Sequence, residues 1–328
     1  MPHSRYVYQS NPLLNQAGVE GVLAKLGGRA NKHLGQHFLI DSEVLETIVE
    51  AADTHPGDLV LEIGPGLGVL TRELLAQGAE VLAIEKDRRF VEYLNMTLLH
   101  GSHLTPLPPS PALGAGGSDR IDAVEPSPYG GEGRVRWGDA ATIDWHELIG
   151  NRPWKLVSNL PYSITSLALR KALWSLRPAS RIVVLVQREV AERALTLTPS
   201  PTPSLGVRGR VKGSLLSLMV ALASESARIV KRVAPSSFYP PPKVESAILE
   251  IIPMLLVERE KRWGIDPEKI MTLAKKGFTH PRKKLASNLG LPTGLVASLP
   301  ISQNTRAEEL SPDDWARLAK KLENFKTG

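Results

Sequence analysis

The stretch "LEIGPGLGVLT", residues 61–71, decides how the rest of this chain is read. Leu61 and Ile63 close an apolar run, three glycines follow at Gly64, Gly66 and Gly68, and Val69 and Leu70 open a segment with helical spacing. Glycines at a strand-to-helix turn let the backbone bend tightly and approach a ligand closely, and Pro65 stiffens the bend. The spacing is GxGxG, not the GxGxxG that packs a pyrophosphate against a helix N-terminus. Close backbone approach without an anion cradle suits a nucleoside that carries no phosphate. The next apolar run, "EVLAIEK" (80–86), ends in Glu85, where a carboxylate accepts hydrogen bonds from both ribose hydroxyls. S-adenosylmethionine is a ligand of this kind. Asp139, in "WGDA" after a third run, supplies an acceptor for an adenine amino group, or else a cap for the helix that follows.

Working outward, Asp41 and Ser42 cap a helix with Val44, Leu45, Ile48, Val49 and Ala52 on one face, and helical patterns recur at 69–77 and 88–96. Strands are expected at 58–64, 80–86, 134–137, 155–158, 181–187, 227–233 and 244–252. Apolar runs alternating with amphipathic helices indicate an α/β fold with a seven-stranded doubly wound sheet, Rossmann-like. Beyond Pro253 the signals are only helical, at 267–289 and 306–325. The expected organisation is a flexible N-terminal tail at 1–30, a ligand-binding α/β domain at 31–253 and a small all-helical domain at 254–328. Pro-, Gly- and Ser-rich stretches at about 101–133 and 197–210 are expected to be disordered insertions, since such composition cannot bury a core.

Composition narrows the chemistry. With no cysteine, the chain holds no thiolate nucleophile, iron–sulfur cluster or cysteine-ligated zinc, and no metal site is expected. No apolar run is long enough to span a membrane, so a cytoplasmic protein is expected. The net charge is +6, and residues 207–290 hold sixteen Lys or Arg against seven Asp or Glu. Such a local excess attracts a polyphosphate backbone, although a solvated surface has the same composition.

The fourth expected strand runs into "SNLPY" (158–162), at the strand end where open α/β sheets bind ligands. Methyl transfer to the exocyclic amine of adenine needs no strong base. It needs acceptors for the amine protons, so that the nitrogen pyramidalises and its lone pair points at the methyl group. The Asn159 side-chain oxygen and the Leu160 carbonyl are candidates. Pro161 biases Leu160 to an extended backbone and so aims that carbonyl. Tyr162 offers a ring on which an unstacked base can lie, a contact worth roughly 1–3 kcal/mol.

"GQHFL" (35–39), "EIGPGLGVLT" (62–71), "IEKD" (84–87), "GDA" (138–140), "SNLPY" and "SSFYPPPKVESA" (236–247) stand in the order seen in the ribosomal RNA adenine dimethyltransferases. The chain resembles most the bacterial type, associated with kasugamycin sensitivity. "GFTHPRKKLASNLG" (277–290) and "RAEELS" (306–311) extend the resemblance to about residue 325. It implies a class I S-adenosylmethionine-dependent methyltransferase that dimethylates two adjacent adenosines in the 3′-terminal hairpin of small-subunit (16S) rRNA. His37, Leu39, Gly64, Gly66, Glu85, Asp139 and Asn159 would line the cofactor site, and Phe238 would stack on the target adenine opposite Tyr162. From the residues alone, Phe238 beside three prolines reads equally as the core anchor of a rigid loop. Lys243 and the cluster Arg282, Lys283 and Lys284, expected on a helix, would hold RNA phosphates. The implied partners are small-subunit rRNA and the immature small ribosomal subunit, met by a monomer.

Two positions depart from the pattern: His37 stands where the family usually has Asn, and Lys212 where an aromatic tends to stand nearby. The imidazole still makes one hydrogen bond, so rearranged or weaker cofactor contacts are expected. Rival readings are a macrolide-resistance type of large-subunit rRNA methyltransferase, or a non-catalytic relative acting as a ribosome assembly or organellar transcription factor. "YPPPKVESA" and "RAEELS" weigh against the first, and Glu85, Asp139 and Asn159 against the second.

Overall fold

The structure, a computed structural model, describes residues 11–30, 36–99, 131–198 and 212–327; residues 1–10 of the expected tail and most of both expected insertions lie outside them. In chain order the elements are α1 (Gln16–Lys25), β1 (Phe38–Leu39), α2 (Ser42–Ala52), β2 (Leu59–Ile63), α3 (Val69–Ala76), β3 (Glu80–Glu85), α4 (Arg88–Leu94) and β4 (Glu132–Trp137). Then come α5 (Trp145–Ile149), β5 (Trp154–Asn159), α6 (Thr165–Trp174), β6 (Arg181–Gln187), α7 (Arg188–Leu195), α8 (Leu215–Ala223), β7 (Ser224–Val233), β8 (Phe238–Tyr239) and β9 (Ser246–Pro253). The chain continues with α9 (Leu256–Trp263), α10 (Pro267–Gly277), α11 (Leu285–Leu289), α12 (Thr293–Val296) and α13 (Pro312–Thr327).

Seven strands form one sheet in the order β4-β3-β2-β5-β6-β9-β7, and β1 and β8 make a separate antiparallel ribbon. The pairs β4–β3, β3–β2, β2–β5 and β5–β6 are parallel. Their central strands read as continuous apolar runs because helices cover both faces of a parallel sheet. All five residues of β2 and the five residues 182–186 within β6 are buried. The strand order reverses between β2 and β5, so the crevice at their C-terminal ends is where such a sheet takes a ligand. β4 starts at Glu132, inside the expected insertion, with Gly133 paired to Val81.

Two further expectations are corrected. Residues 11–30 are not a loose tail. Asn15 caps α1 by accepting a hydrogen bond from the Gly18 N–H at 2.8 Å, and Leu13, Val19 and Leu23 pack with Phe38, Leu67 and Phe90. An apolar stripe of only three side chains acquires meaning through its distant partners.

The expected linear boundary at 253 also gives way to an interleaved division. One compact unit comprises Met1–Ala168, Ala179–Arg188 and Val230–Glu250; the other comprises Leu169–Pro178, Glu189–Ile229 and Ile251–Gly328. The cause within the second unit is α8, "LLSLMVALA", buried from Ser217 to Ala223. The indole N–H groups of Trp174 and Trp263 donate to the Met219 and Leu222 carbonyls at 3.1 and 2.9 Å. A helix apolar on every face needs cover all round, and the helices that supply it here come from distant parts of the chain. Among the described residues no helix is long and apolar enough to cross a membrane.

Candidate active site

β2 ends at Ile63, and Gly64 turns the chain with φ +68° while its N–H donates to the Ile84 carbonyl at 2.8 Å. A Cβ at Gly64 would stand 3.2 Å from the Pro161 ring. The glycine turn and the Asn-Leu-Pro-Tyr stretch, far apart in sequence, therefore touch at the point where the strand order reverses. Gly66, at φ +59°, donates its N–H to Glu85 Oε2 at 3.0 Å. Glu85 Oε1 accepts from the N–H groups of Lys86 and Asp87 at 2.7 and 2.8 Å. Burial pushes the Glu85 carboxyl above the ordinary range, and the three backbone N–H groups pull the other way. Oε1 thus has both lone pairs engaged, while Oε2, which accepts a single N–H, retains one for a ligand hydroxyl.

A cavity of about 220 Å³ opens between these strand ends. Gly64, Gly66, Glu85, Asp139 and Asn159 line it, joined by Leu160, Pro161 and Tyr162 of the fifth strand's exit and by His37 and Leu39 of the β1 segment. Asp139 Oδ1 accepts from the Ala141 N–H at 2.9 Å, and Oδ2 pairs with Lys86 Nζ at 2.9 Å. Asn159 Nδ2 donates to the His37 carbonyl at 3.3 Å, which leaves Oδ1 as the group that accepts. The Leu160 N–H donates to the Leu185 carbonyl, and Pro161 lies at φ −55° and ψ 128°. The Tyr162 hydroxyl lies 2.9 Å from Ser246 Oγ, and burial pushes its phenol up against that hydrogen bond.

The sequence family described as Ribosomal RNA adenine dimethylase matches residues 27–324. The chain belongs to the ribosomal RNA adenine dimethylase family. Ribosomal RNA small subunit methyltransferase A of Dehalococcoides mccartyi (strain ATCC BAA-2100) is 34% identical over 308 residues, covering 88% of this chain and 87% of its own. The protein of the same name from Thermosynechococcus vestitus is 34% identical over 308 residues, covering 90% of this chain and 97% of its own. Among solved structures, a dimethyladenosine transferase from Plasmodium falciparum superposes with a TM-score of 0.59 at 22% identity, over 88% of this chain and 98% of that one. The 23S rRNA methyltransferase ErmE gives 0.54 at 22% identity, over 87% and 99%. The fold is that of the class I S-adenosylmethionine-dependent methyltransferases.

Not every expected residue of this family member faces the cavity. Phe238 is 3% exposed and belongs to the main core cluster with Leu39, Leu45 and Ile48. In β8 it pairs with Leu39 of β1, and in this structure its ring packs in the core and does not line the cavity. Arg282, Lys283 and Lys284 are exposed, but in the turn between α10 and α11 and not on a helix. Pro281 has no N–H to continue α10, and the turn closes with the Lys283 N–H donating to His280 at 2.9 Å. Lys243 is exposed in the connection from β8 to β9.

Among the lining residues that carried no expected role are Glu62, Leu13 and Val19. Glu62 is fully buried, accepts from the Thr71 hydroxyl at 2.7 Å, and has its pKa pushed up to about 8 by burial and, further, by the Glu85 charge. Its signal was present, since an acid inside an otherwise apolar strand is unusual. Leu13 and Val19 of the N-terminal segment also reach the cavity. Only the one-turn spacing of Val19 and Leu23 hinted at it.

Proposed function

We propose that this chain is an S-adenosylmethionine-dependent rRNA (adenine-N6) dimethyltransferase, acting on two adjacent adenosines in the 3′-terminal hairpin of small-subunit rRNA. The site's donors and acceptors fit the cofactor. Glu85 would hold a ribose hydroxyl, Asp139 the adenine amino group, and the Gly64 and Gly66 backbone would lie close alongside, where side chains would intrude. When bound, the cofactor supplies an electrophilic methyl group.

The protein's own contribution lies at the exit of β5. The observation that carries the proposal is the Asn159 amide, whose nitrogen is committed to the His37 carbonyl, so that its oxygen is the acceptor at the cavity. Together with the Leu160 carbonyl it would take the two amine protons and orient the nitrogen lone pair. Preorganised acceptors of this kind cost no reorganisation during the reaction. Tyr162, restrained through Ser246, would carry one face of the flipped base. Exposed Lys243 and the Arg282–Lys284 turn would hold phosphates, which position the RNA without reading its sequence.

The immature small subunit would be the partner, and the enzyme would act as a cytoplasmic monomer. Its relatives' names, Ribosomal RNA small subunit methyltransferase A, support the small subunit over the large one. The test is incubation of the protein with labelled S-adenosylmethionine and a mixture of unmethylated small and large subunits, followed by mapping of the modified nucleotides. Two adjacent N6,N6-dimethyladenosines in the terminal hairpin are expected. Label confined to large-subunit rRNA, or none in either, would refute the proposal.

A further inference from the structure

Helix α10 ends in a basic cluster that its own charge would drive apart. Lys275, Lys276, Arg282, Lys283 and Lys284 stand within ten residues, and no Asp or Glu lies between Glu268 and Glu308. Like charges this close repel one another, so other contacts must fix the turn. The last carbonyls of a helix have no intrahelical partner and need donors from elsewhere. At the end of α10, the Phe278 N–H donates to the Ala274 carbonyl at 2.8 Å. Thr279 donates its hydroxyl to Lys275 at 3.1 Å and its N–H to Lys276 at 3.2 Å. The Gly277 carbonyl is left over. In a continuing helix the N–H of residue 281 would reach it, but that residue is Pro281.

Asn288 of α11 supplies the missing donor. Its Nδ2 donates to the Gly277 carbonyl at 2.6 Å and to the His280 carbonyl at 3.0 Å. Carbonyls only accept, so these two bonds set the orientation of the amide and use both Nδ2 hydrogens. His280 also accepts the Lys283 N–H at 2.9 Å. The Asn288 Oδ1 is left buried without a partner, an unfavourable state for an acceptor, so it is the turn that holds the amide this way round. The two ends of the turn are pinned separately. Phe278 stacks on buried Trp315 with 5.8 Å between centroids, and the Leu285 N–H donates to the Thr305 carbonyl at 2.8 Å. Asn288 ties down the stretch between them, which leads into exposed Arg282, Lys283 and Lys284.

We infer that Asn288 is a positioning residue for RNA binding: standing in for the N–H that Pro281 lacks, it fixes the turn that presents Arg282, Lys283 and Lys284 as a preformed phosphate site. The inference rests on the proposed contact between this turn and RNA phosphates. A turn that is already closed gives up little freedom when phosphates dock, so the effect of Asn288 is read in RNA affinity. It has no part in cofactor affinity, and none in methyl transfer once RNA is bound.

Three measurements test it: amide hydrogen exchange, filter binding of the labelled 3′-terminal small-subunit hairpin over a range of salt, and methylation against small-subunit concentration. In the wild type the Lys283 N–H should exchange about tenfold or more slowly than a free amide; exchange at the free rate overturns the inference. Asn288→Leu keeps a similar volume and removes the donor. It should weaken hairpin binding about fivefold or more at low salt and reduce the salt slope by about one or more, while S-adenosylhomocysteine affinity stays within about twofold. In methylation it should raise KM for small subunits and leave kcat within about twofold. Asn288→Gln keeps both donors on a longer stem and should recover part of the affinity. Thermal melts check folding, and Asn288→Ser, which keeps a single donor, takes the place of Asn288→Leu if that variant is unfolded. In a background with Arg282, Lys283 and Lys284 all replaced by Ala, Asn288→Leu should change hairpin affinity less than about twofold, because no cluster remains to be positioned. An equal loss in that background would make Asn288 a general support of the fold and sink the inference, as would wild-type affinity of Asn288→Leu at every salt concentration. Hairpin binding that the triple replacement itself leaves unchanged would instead sink the reading of the turn as a phosphate holder.

Discussion

Replacing Glu62 by Gln should change how the protein's stability depends on pH. The Glu62 carboxyl is fully buried, and its pKa rises from an ordinary 4.5 to about 8, first through burial and then through the nearby Glu85 charge, with the Thr71 hydroxyl opposing both. The folded state therefore keeps a proton that the unfolded chain gives up near 4.5. Stability is lost as pH rises from the unfolded pKa to the folded one, and no further loss from this group follows above it. One proton is worth about 1.4 kcal/mol per pH unit, so between pH 5 and pH 7 the loss approaches about 3 kcal/mol. Gln does not titrate, and its carbonyl can still accept from Thr71. Its amide brings a constant offset, so the slope is the quantity to read. Urea unfolding of both proteins at pH 5, 6, 7, 8 and 9 should show the stability difference moving in favour of Glu62→Gln as pH rises, and levelling off beyond 8. Parallel curves would mean that Glu62 titrates as a solvated carboxyl, and would refute the argument from burial.

Asn159→Ala should lower methyl transfer by about a hundredfold, as removal of a preorganised hydrogen-bonding group does elsewhere, while RNA filter binding changes little. Gly64→Ala places a Cβ at φ +68° and 3.2 Å from the Pro161 ring. It should cost about 1–2 kcal/mol and weaken S-adenosylhomocysteine binding, measured by melting and calorimetry. Phe238→Ala should destabilise by about 3 kcal/mol or more, since the ring is in the core; an unchanged melting temperature with lost methylation would return the ring to the base. Replacing Arg282, Lys283 and Lys284 together by Ala should weaken RNA binding at low salt and reduce the salt slope by about three, if each neutralises one phosphate.

Much of the α/β framework is readable from local pattern. The run 181–187 is a strand over those same residues, and the expected strands at 58–64 and 80–86 shorten only at their ends. β-branched and aliphatic runs bounded by turn residues leave few alternatives there. The N-terminal segment was less legible because Leu13, Val19 and Leu23 show their purpose only against Phe38, Leu67 and Phe90. The division into units failed for a similar reason. Local composition gives α8 a helical, wholly apolar character, but cannot say that Trp174 and Trp263 will cover it.

By itself the sequence determined that a glycine turn follows β2, that an acid ends β3 and that an amide, a proline and a ring end β5. These follow from backbone sterics and short-range patterning, which act within a few residues. Only the tertiary structure decided that Gly64 meets Pro161, that Phe238 turns into the core, and that the His37 ring holds Pro240 while its carbonyl holds Asn159. Those contacts depend on the reversal of strand order between β2 and β5 and on the register of β1 with β8. Both are set by long-range packing of whole elements, which no window of sequence contains.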